Sequence, residues 1–170
     1  MKPNHSQSDP AGPAARPGKY LAFTLAGGIY AVPVMAVREI IRLCPITPVA
    51  TMPPHVRGVI NLRGRVIPLI DLRVRFGLPA APDHDRTCIV VGQVAAGVEA
   101  RPYAVVVDGV EEVAAFSADD IVPPPDFGAG VELRFVTGMA RRAAGVTTLV
   151  DLDAVAAADW LPEAAVLSPS

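Results

Sequence analysis

The sequence has 170 residues, of which 51% are apolar and 19% charged, with a formal net charge of −2. This is the composition of one packed domain rather than a disordered chain, and it sets up no overall field favouring nucleic acid or acidic lipid. The two cysteines, Cys44 and Cys88, form neither a CxxC nor a metal-ligand cluster, and no apolar run approaches the ~20 residues of a membrane helix.

Residues 1–18 are rich in Pro, Ala, Ser and Gly, show no apolar periodicity and read as a disordered tail without the apolar centre of a secretory signal. Residues 162–170 read as a second tail, leaving 19–161 as the domain and the cytoplasm as the expected address. Tyr20–Leu25 and Ile29–Val32 flank Gly27-Gly28 as a hairpin. Val34–Arg42 reads as a short helix, with Val34, Val37 and Ile41 at i, i+3 and i+7 on one face, either packed in the core or lining a groove for a partner helix. Val59–Leu62 and Val66–Ile70 flank Arg63-Gly64 as a second hairpin. There Gly64 is expected to take positive φ and Gly58 to permit a close backbone approach. A short helical turn follows Asp71. Thr87–Val94 and Tyr103–Val107 form a third pair, and Leu133–Thr137 with Val146–Val150 a fourth. Between these two pairs, Pro123-Pro124-Pro125 presets a stiff loop that carries Asp126 and Phe127 at its tip. Asp151–Trp160 reads as the last helix, with Trp160 packing it onto the strands.

An internal repeat organises these elements. YAVPVMAVREI from Tyr30 and YAVVVDGVEEV from Tyr103 share Tyr, Ala, Val and Glu positions at an offset of 73 residues. Gly58, Val66, Leu69 and Asp71-Leu72 then match Gly138, Val146, Leu149 and Asp151-Leu152 at an offset of 80. The expected architecture is two similar small β-units of about five strands, each too small to stand alone, closed on itself to remove sheet edges and packed to leave a groove between them.

Several chemistries are absent. Lys2 and Lys19, both at the N-terminal end, are the only lysines, so the fold offers no phosphate-cradling or Schiff-base lysine. His5, His55 and His84 are scattered singly, and Ser117 has no nucleophile-elbow context. The expectation is a protein that is not an enzyme and has no metal or cofactor. Arg57, Arg63, Arg65, Arg73 and Arg75 fall within 19 residues and could meet phosphates. No aromatic residues interleave them except Phe76, so they read instead as a solvated rim around an acidic or polar partner. A small β-barrel module binding a small molecule or nucleic acid is the alternative on these observations.

RGVINLRGRVIPLIDLRVRFGL (Arg57 to Leu78) resembles the hallmark of the CheW family of bacterial chemotaxis coupling proteins. YLAFTLAGGIYAVPVMAVREII, YAVVVDGVEEV and VTGMARRAAGVTTLVDLDAVA extend the resemblance, in order, from about Tyr20 to Leu161. It implies a mainly β fold of two packed SH3-like five-stranded β-barrel subdomains with a few short helices. It also implies a non-enzymatic adaptor between the cytoplasmic tip of methyl-accepting chemoreceptors and the regulatory domain of the histidine kinase CheA, held at membrane-associated arrays without inserting into the membrane. A related adaptor of a non-flagellar receptor-kinase pathway fits the same residues.

The resemblance also distributes roles. Val37, with Val34, Ile41, Glu39, Arg63 and Gly58, is assigned to the receptor side, and Glu39 is expected to pair with Arg63. Asp126 and Phe127 in the proline-led loop, with Val122, are assigned to the kinase side. Val122 stands where family members often carry a basic residue, so the resemblance carries no charge contact over to that position.

Overall fold

The computed structural model describes residues 14–79, 81–96, 99–124, 135–143 and 145–158. Among them, eleven strands and two short α-helices are formed. In chain order the strands are β1 (Gly18–Leu25), β2 (Gly28–Pro33), β3 (Glu39–Arg42), β4 (Val56–Leu62), β5 (Arg65–Asp71), β6 (Cys88–Ala96), β7 (Glu99–Val107), β8 (Gly109–Phe116), β9 (Ile121–Val122), β10 (Val136–Arg142) and β11 (Gly145–Val150). The helix α1 (Leu72–Arg75) follows β5, and α2 (Leu152–Ala158) follows β11.

The strands make two sheets, one ordered β8-β1-β2-β11-β10-β9 and the other β3-β6-β7-β5-β4. The repeat is present but its copies are interleaved. Leu69 of β5 lies beside Ala104 of β7 in a parallel pair, and Leu149 of β11 lies beside Ala31 of β2 in the same way. Each sheet therefore takes its leading hairpin from one repeat and its later strands from the other. The expectation of two consecutive units is corrected on this point, because strands of equal pattern pair as well across the repeats as within one. The mainly β fold with a few short helices is as expected, and two sheets, of six and five strands among the described residues, are consistent with the two five-stranded barrel subdomains expected.

Local sequence explains most elements. Arg63-Gly64 joins Leu62 to Arg65 with φ of 51° and 85°, the doubly positive turn that matches strand twist. The Asn61 side-chain oxygen accepts from the Gly64 N–H at 2.9 Å. The repeated Asp-Leu is a repeated helix cap: Asp71 Oδ1 accepts from the Arg73 and Val74 N–H groups, and Asp151 Oδ1 accepts from Ala154 N–H. At the amino end, Ala15 N–H donates to the Thr137 carbonyl at 3.0 Å, and Lys19 lies exposed on β1.

The expected helix over Val34–Arg42 is not formed. Val34–Ala36 makes one 3-10 turn, and Glu39–Arg42 is an edge strand antiparallel to β6, with Ile41 opposite Ile89. Nine residues rich in Val and Ile are too few and too β-branched to hold a helix against a waiting sheet edge. The fourth hairpin is shifted, with β10 running to Arg142 past a register shift at Gly138. Two further strands, β8 and β9, go beyond the expected pairs.

Burial follows the alternation of the strands. Tyr103, Val105 and Val107 face a core shared by both sheets, while Ala104 and Val106 face a second core within the β3-to-β4 sheet. A third core with Tyr20, Ala31, Phe116 and Leu149 fills the other sheet. Phe23, Tyr30, Phe76 and Phe135 run through the shared core as successive aromatic contacts of 5.9–6.2 Å.

A salt-bridged cleft at the edge of the second sheet

Glu39 on β3 and the β4–β5 turn come from opposite edges of one sheet, so their contact requires that sheet to curl. Arg63 donates from Nη1 to Glu39 Oε1 at 2.7 Å and from Nη2 to Oε2 at 3.0 Å, a two-bond fork. The hydrogen bond from Arg63 holds the Glu39 carboxyl below its usual range, and the same bond raises the guanidinium. The expected pairing is therefore present. The repeat carries its counterpart at Glu112 of β8, which accepts from Arg142 of β10 at 2.6 Å and draws the other sheet round in the same way. Sequence comparison of the halves aligned the two glutamates but not their arginines, which sit one position apart in the repeat.

Behind Arg63, Gly58 has φ of 147° and a side chain there would overlap the Thr47 carbonyl. Thr47 bridges to Val59 at this point, so the close approach expected of Gly58 fastens the 43–47 segment to β4. The Glu39–Arg63 pair lines a cleft of about 230 Å³ whose floor includes the apolar Leu62, Ile67, Val91 and Pro102, with the exposed Arg38 and Arg65 beside them.

The other assigned residues spread more widely. Val34 and Val37 lean on the shared core, whereas Ile41 packs on the core of the second sheet, so the three do not form one face. Without a helix, their i, i+3, i+7 spacing no longer aligns them. Between them Met35 is 90% exposed, an apolar side chain on the surface that sequence periodicity placed in no role. Val122 on β9 is half-buried and pairs with Met139 of β10. Asp126, Phe127 and Trp160 lie outside the described residues. Cys44 and Cys88 are half-buried against two different cores, and burial pushes the Cys88 thiol up.

The arginine cluster is not a single rim. Arg57 pairs with Asp83 through two hydrogen bonds, and the Arg75 guanidinium lies 4.8 Å from the Phe135 ring centre. The Arg73 side chain is only 4% exposed, 3.4–3.8 Å from Asp71, Asp83 and Asp108, and donates to the Ala81 carbonyl. Arg63 and Arg65 alone of the five are exposed. The solvated-rim reading is thereby corrected for Arg73 and Arg75, which consolidate the fold because largely buried carboxylates and an aromatic face take the place of water, while Arg57 is half-buried in a surface pair with Asp83. Among the described residues there is no helix long and apolar enough to cross a membrane and no cluster of metal-ligating side chains.

Residues 19–159 match the CheW-like domain family. The chemotaxis protein CheW of Rhizobium meliloti (strain 1021) is 38% identical over 135 residues, covering 79% of this chain and 84% of its own. That of Klebsiella aerogenes is 33% identical over 138 residues, 79% of each chain. The crystal structure of the scaffolding protein TtCheW from Thermoanaerobacter tengcongensis superposes with a TM-score of 0.75 at 28% identity, over 84% of this chain and 94% of that one. With that match over most of its length, the chain belongs to the CheW-like family of chemotaxis scaffolds, which are not enzymes.

Proposed function

We propose that this scaffold couples methyl-accepting chemoreceptors to a CheA-type histidine kinase at membrane-associated arrays on the cytoplasmic side. The observation that carries the reading is the Glu39–Arg63 fork beside an apolar-floored cleft, in a chain of this family. An apolar floor can take the buried face of a receptor helix, and the fork fixes the turn that borders it. Val34, Val37, Ile41 and Gly58 support that side: the valines and Ile41 anchor the segment on either side of Glu39, and Gly58 anchors the strand that leads to Arg63. Val122, with Asp126 and Phe127 beyond it, is the kinase-facing side. Coupling then needs no chemistry, since a receptor shift transmitted through a shared scaffold biases the kinase between states.

The test is co-sedimentation of the purified protein with receptor-containing membranes, with and without the kinase regulatory domain. Binding to both, with Arg63→Glu losing the membranes and keeping the kinase domain, supports the assignment. Failure to bind the regulatory domain at tens of micromolar removes it.

A further inference from the structure

The two repeats differ at one place where their backbones agree. In the first, Tyr30 lies opposite Phe23 across the β1–β2 pair and the rings stack, 6.2 Å apart and 17° from parallel. In the second, the equivalent Tyr103 lies opposite Gly92 across β6–β7. A side chain at Gly92 would stand 2.7 Å from the Tyr103 hydroxyl and 3.0 Å from the Ala36 carbonyl. The ring of Tyr103 and the 3-10 turn at Val34–Ala36 thus share the space that a phenylalanine fills in the other repeat.

The hydroxyl is held from the far side. Tyr103 is fully buried and donates to Asp153 Oδ1 of α2 at 2.9 Å. Asp153 stands in the repeat position that α1 gives to Arg73, so this bond has no counterpart in the first repeat. Its carboxyl is pushed up by burial and by the nearby Asp151 charge, against the hydrogen bond from Tyr103 and the charge of Arg38. The turn continues into the cleft, where Val37 N–H donates to the Val34 carbonyl and Arg38 N–H to the Val91 carbonyl at 2.7 Å. Val91 and Gly92 line the cleft with Glu39 and Arg63.

We propose that Tyr103 and Asp153 are positioning residues for the docking segment: their hydrogen bond ties α2 to the seat on which the Val34–Ala36 turn rests beside the cleft. The functional consequence rests on the docking reading above, while the structural coupling does not. Removing the hydroxyl or its acceptor frees the ring to shift toward Gly92 and unseats the turn, and α2 gains a route by which it alters the cleft.

Amide hydrogen exchange, read by mass spectrometry or NMR on the full chain, tests the coupling without a partner. In Tyr103→Phe and Asp153→Ala, exchange at Val37 and Arg38 should rise about tenfold, the scale of a lost hydrogen bond to a charged acceptor. Asp153→Asn, which keeps an acceptor oxygen, should stay near the parent, and amides in β1 and β10 should be unchanged in all three. Gly92→Ala, whose Cβ crowds both the Tyr103 hydroxyl and the Ala36 carbonyl, should loosen the same two amides. A second arm measures binding to a purified cytoplasmic fragment of a methyl-accepting receptor, expected to weaken by a similar factor, with binding to the kinase regulatory domain unchanged. Unaltered exchange at Val37 and Arg38, or acceleration spread evenly over both sheets, overturns the proposal. If the parent protein itself ignores the receptor fragment, the docking reading falls and the exchange data alone decide the positioning role.

Discussion

Gly58 and Thr47 approach so closely that no other residue type fits at position 58 without moving the backbone. The built Cβ would lie 2.8 Å from the Thr47 carbonyl carbon and 3.1 Å from Ile46 Cγ2, at a φ of 147° that L-residues avoid. Gly58→Ala should therefore cost about 2–4 kcal/mol, strain and displaced backbone together. Gly64→Ala meets open space and carries only the penalty of its φ of 85°, about 1–2 kcal/mol. Urea unfolding of the two variants side by side checks the ordering. Equal losses would mean that the Thr47 contact yields easily.

The Glu39–Arg63 fork makes a signed pH prediction. Its folded Glu39 carboxyl lies below the ordinary value, so the pair's contribution is present above the unfolded pKa and disappears as pH falls through the lower folded one. The carboxyl resonance of Glu39 should titrate below the usual glutamate range, and Arg63→Met should return it there. The charge swap Glu39→Arg with Arg63→Glu should restore the fork and part of the receptor binding lost in Arg63→Glu. Arg142→Glu, which breaks the counterpart pair with Glu112 in the other sheet, should leave receptor binding intact. Loss of receptor binding in Arg142→Glu would show that the effect is general loosening of a curled sheet.

Arg73 is the one arginine of the cluster whose charge is almost wholly inside. Its guanidinium touches carboxylates from β5, from the segment before β6 and from the β7–β8 turn, and the last of these, Asp108, also accepts from Ala26 N–H of the β1–β2 turn at 2.7 Å. The chain of contacts fastens the two sheets together at α1. Arg73→Met leaves Asp71 and Asp108 without their cation, while Asp83 keeps Arg57, and should cost about 3–5 kcal/mol. Arg73→Lys keeps the charge but loses the fork that reaches several oxygens, and should fall between the two in thermal unfolding. Parent-like stability in Arg73→Met would show the carboxylates to be adequately solvated.

The hairpins were legible because their signals are local. Gly-containing two-residue turns between alternating apolar runs announce β1–β2 and β4–β5, and Asp-Leu announces both caps. The chemistry of the site was legible in part: Glu39 and Arg63 are 24 residues apart, and only family resemblance brought them together. What was hidden depends on tertiary pairing. Glu39–Arg42 has an apolar spacing that suits a helix equally well, and only the open edge of β6 decides for a strand. Arg57, Arg73 and Arg75 read as surface because arginine usually is, and their carboxylate and aromatic partners lie up to 60 residues away in sequence, at Phe135. Gly92 carried no signal at all until Tyr103 was seen lying over it.

The interleaving of the repeats bears on how the chain folds. The first half holds β1 to β5 and α1, yet β1 and β2 need β8 and β11 on either side, and β5 needs β7. A fragment ending at Leu78 therefore leaves open edges in both sheets and half of the shared core exposed, as does a fragment beginning at Pro79. Hairpins without neighbours are marginal in water, so neither fragment should show a cooperative thermal transition alone. Mixed in equal amounts, they should regain it, with a midpoint that rises with concentration, because association now supplies what the chain connection did. The check is circular dichroism of each fragment and of the mixture across a dilution series. A cooperative transition from either fragment by itself would mean that strands of one repeat can close on each other, and that the exchange seen in the two sheets is a choice between near-equal pairings rather than a requirement of the fold.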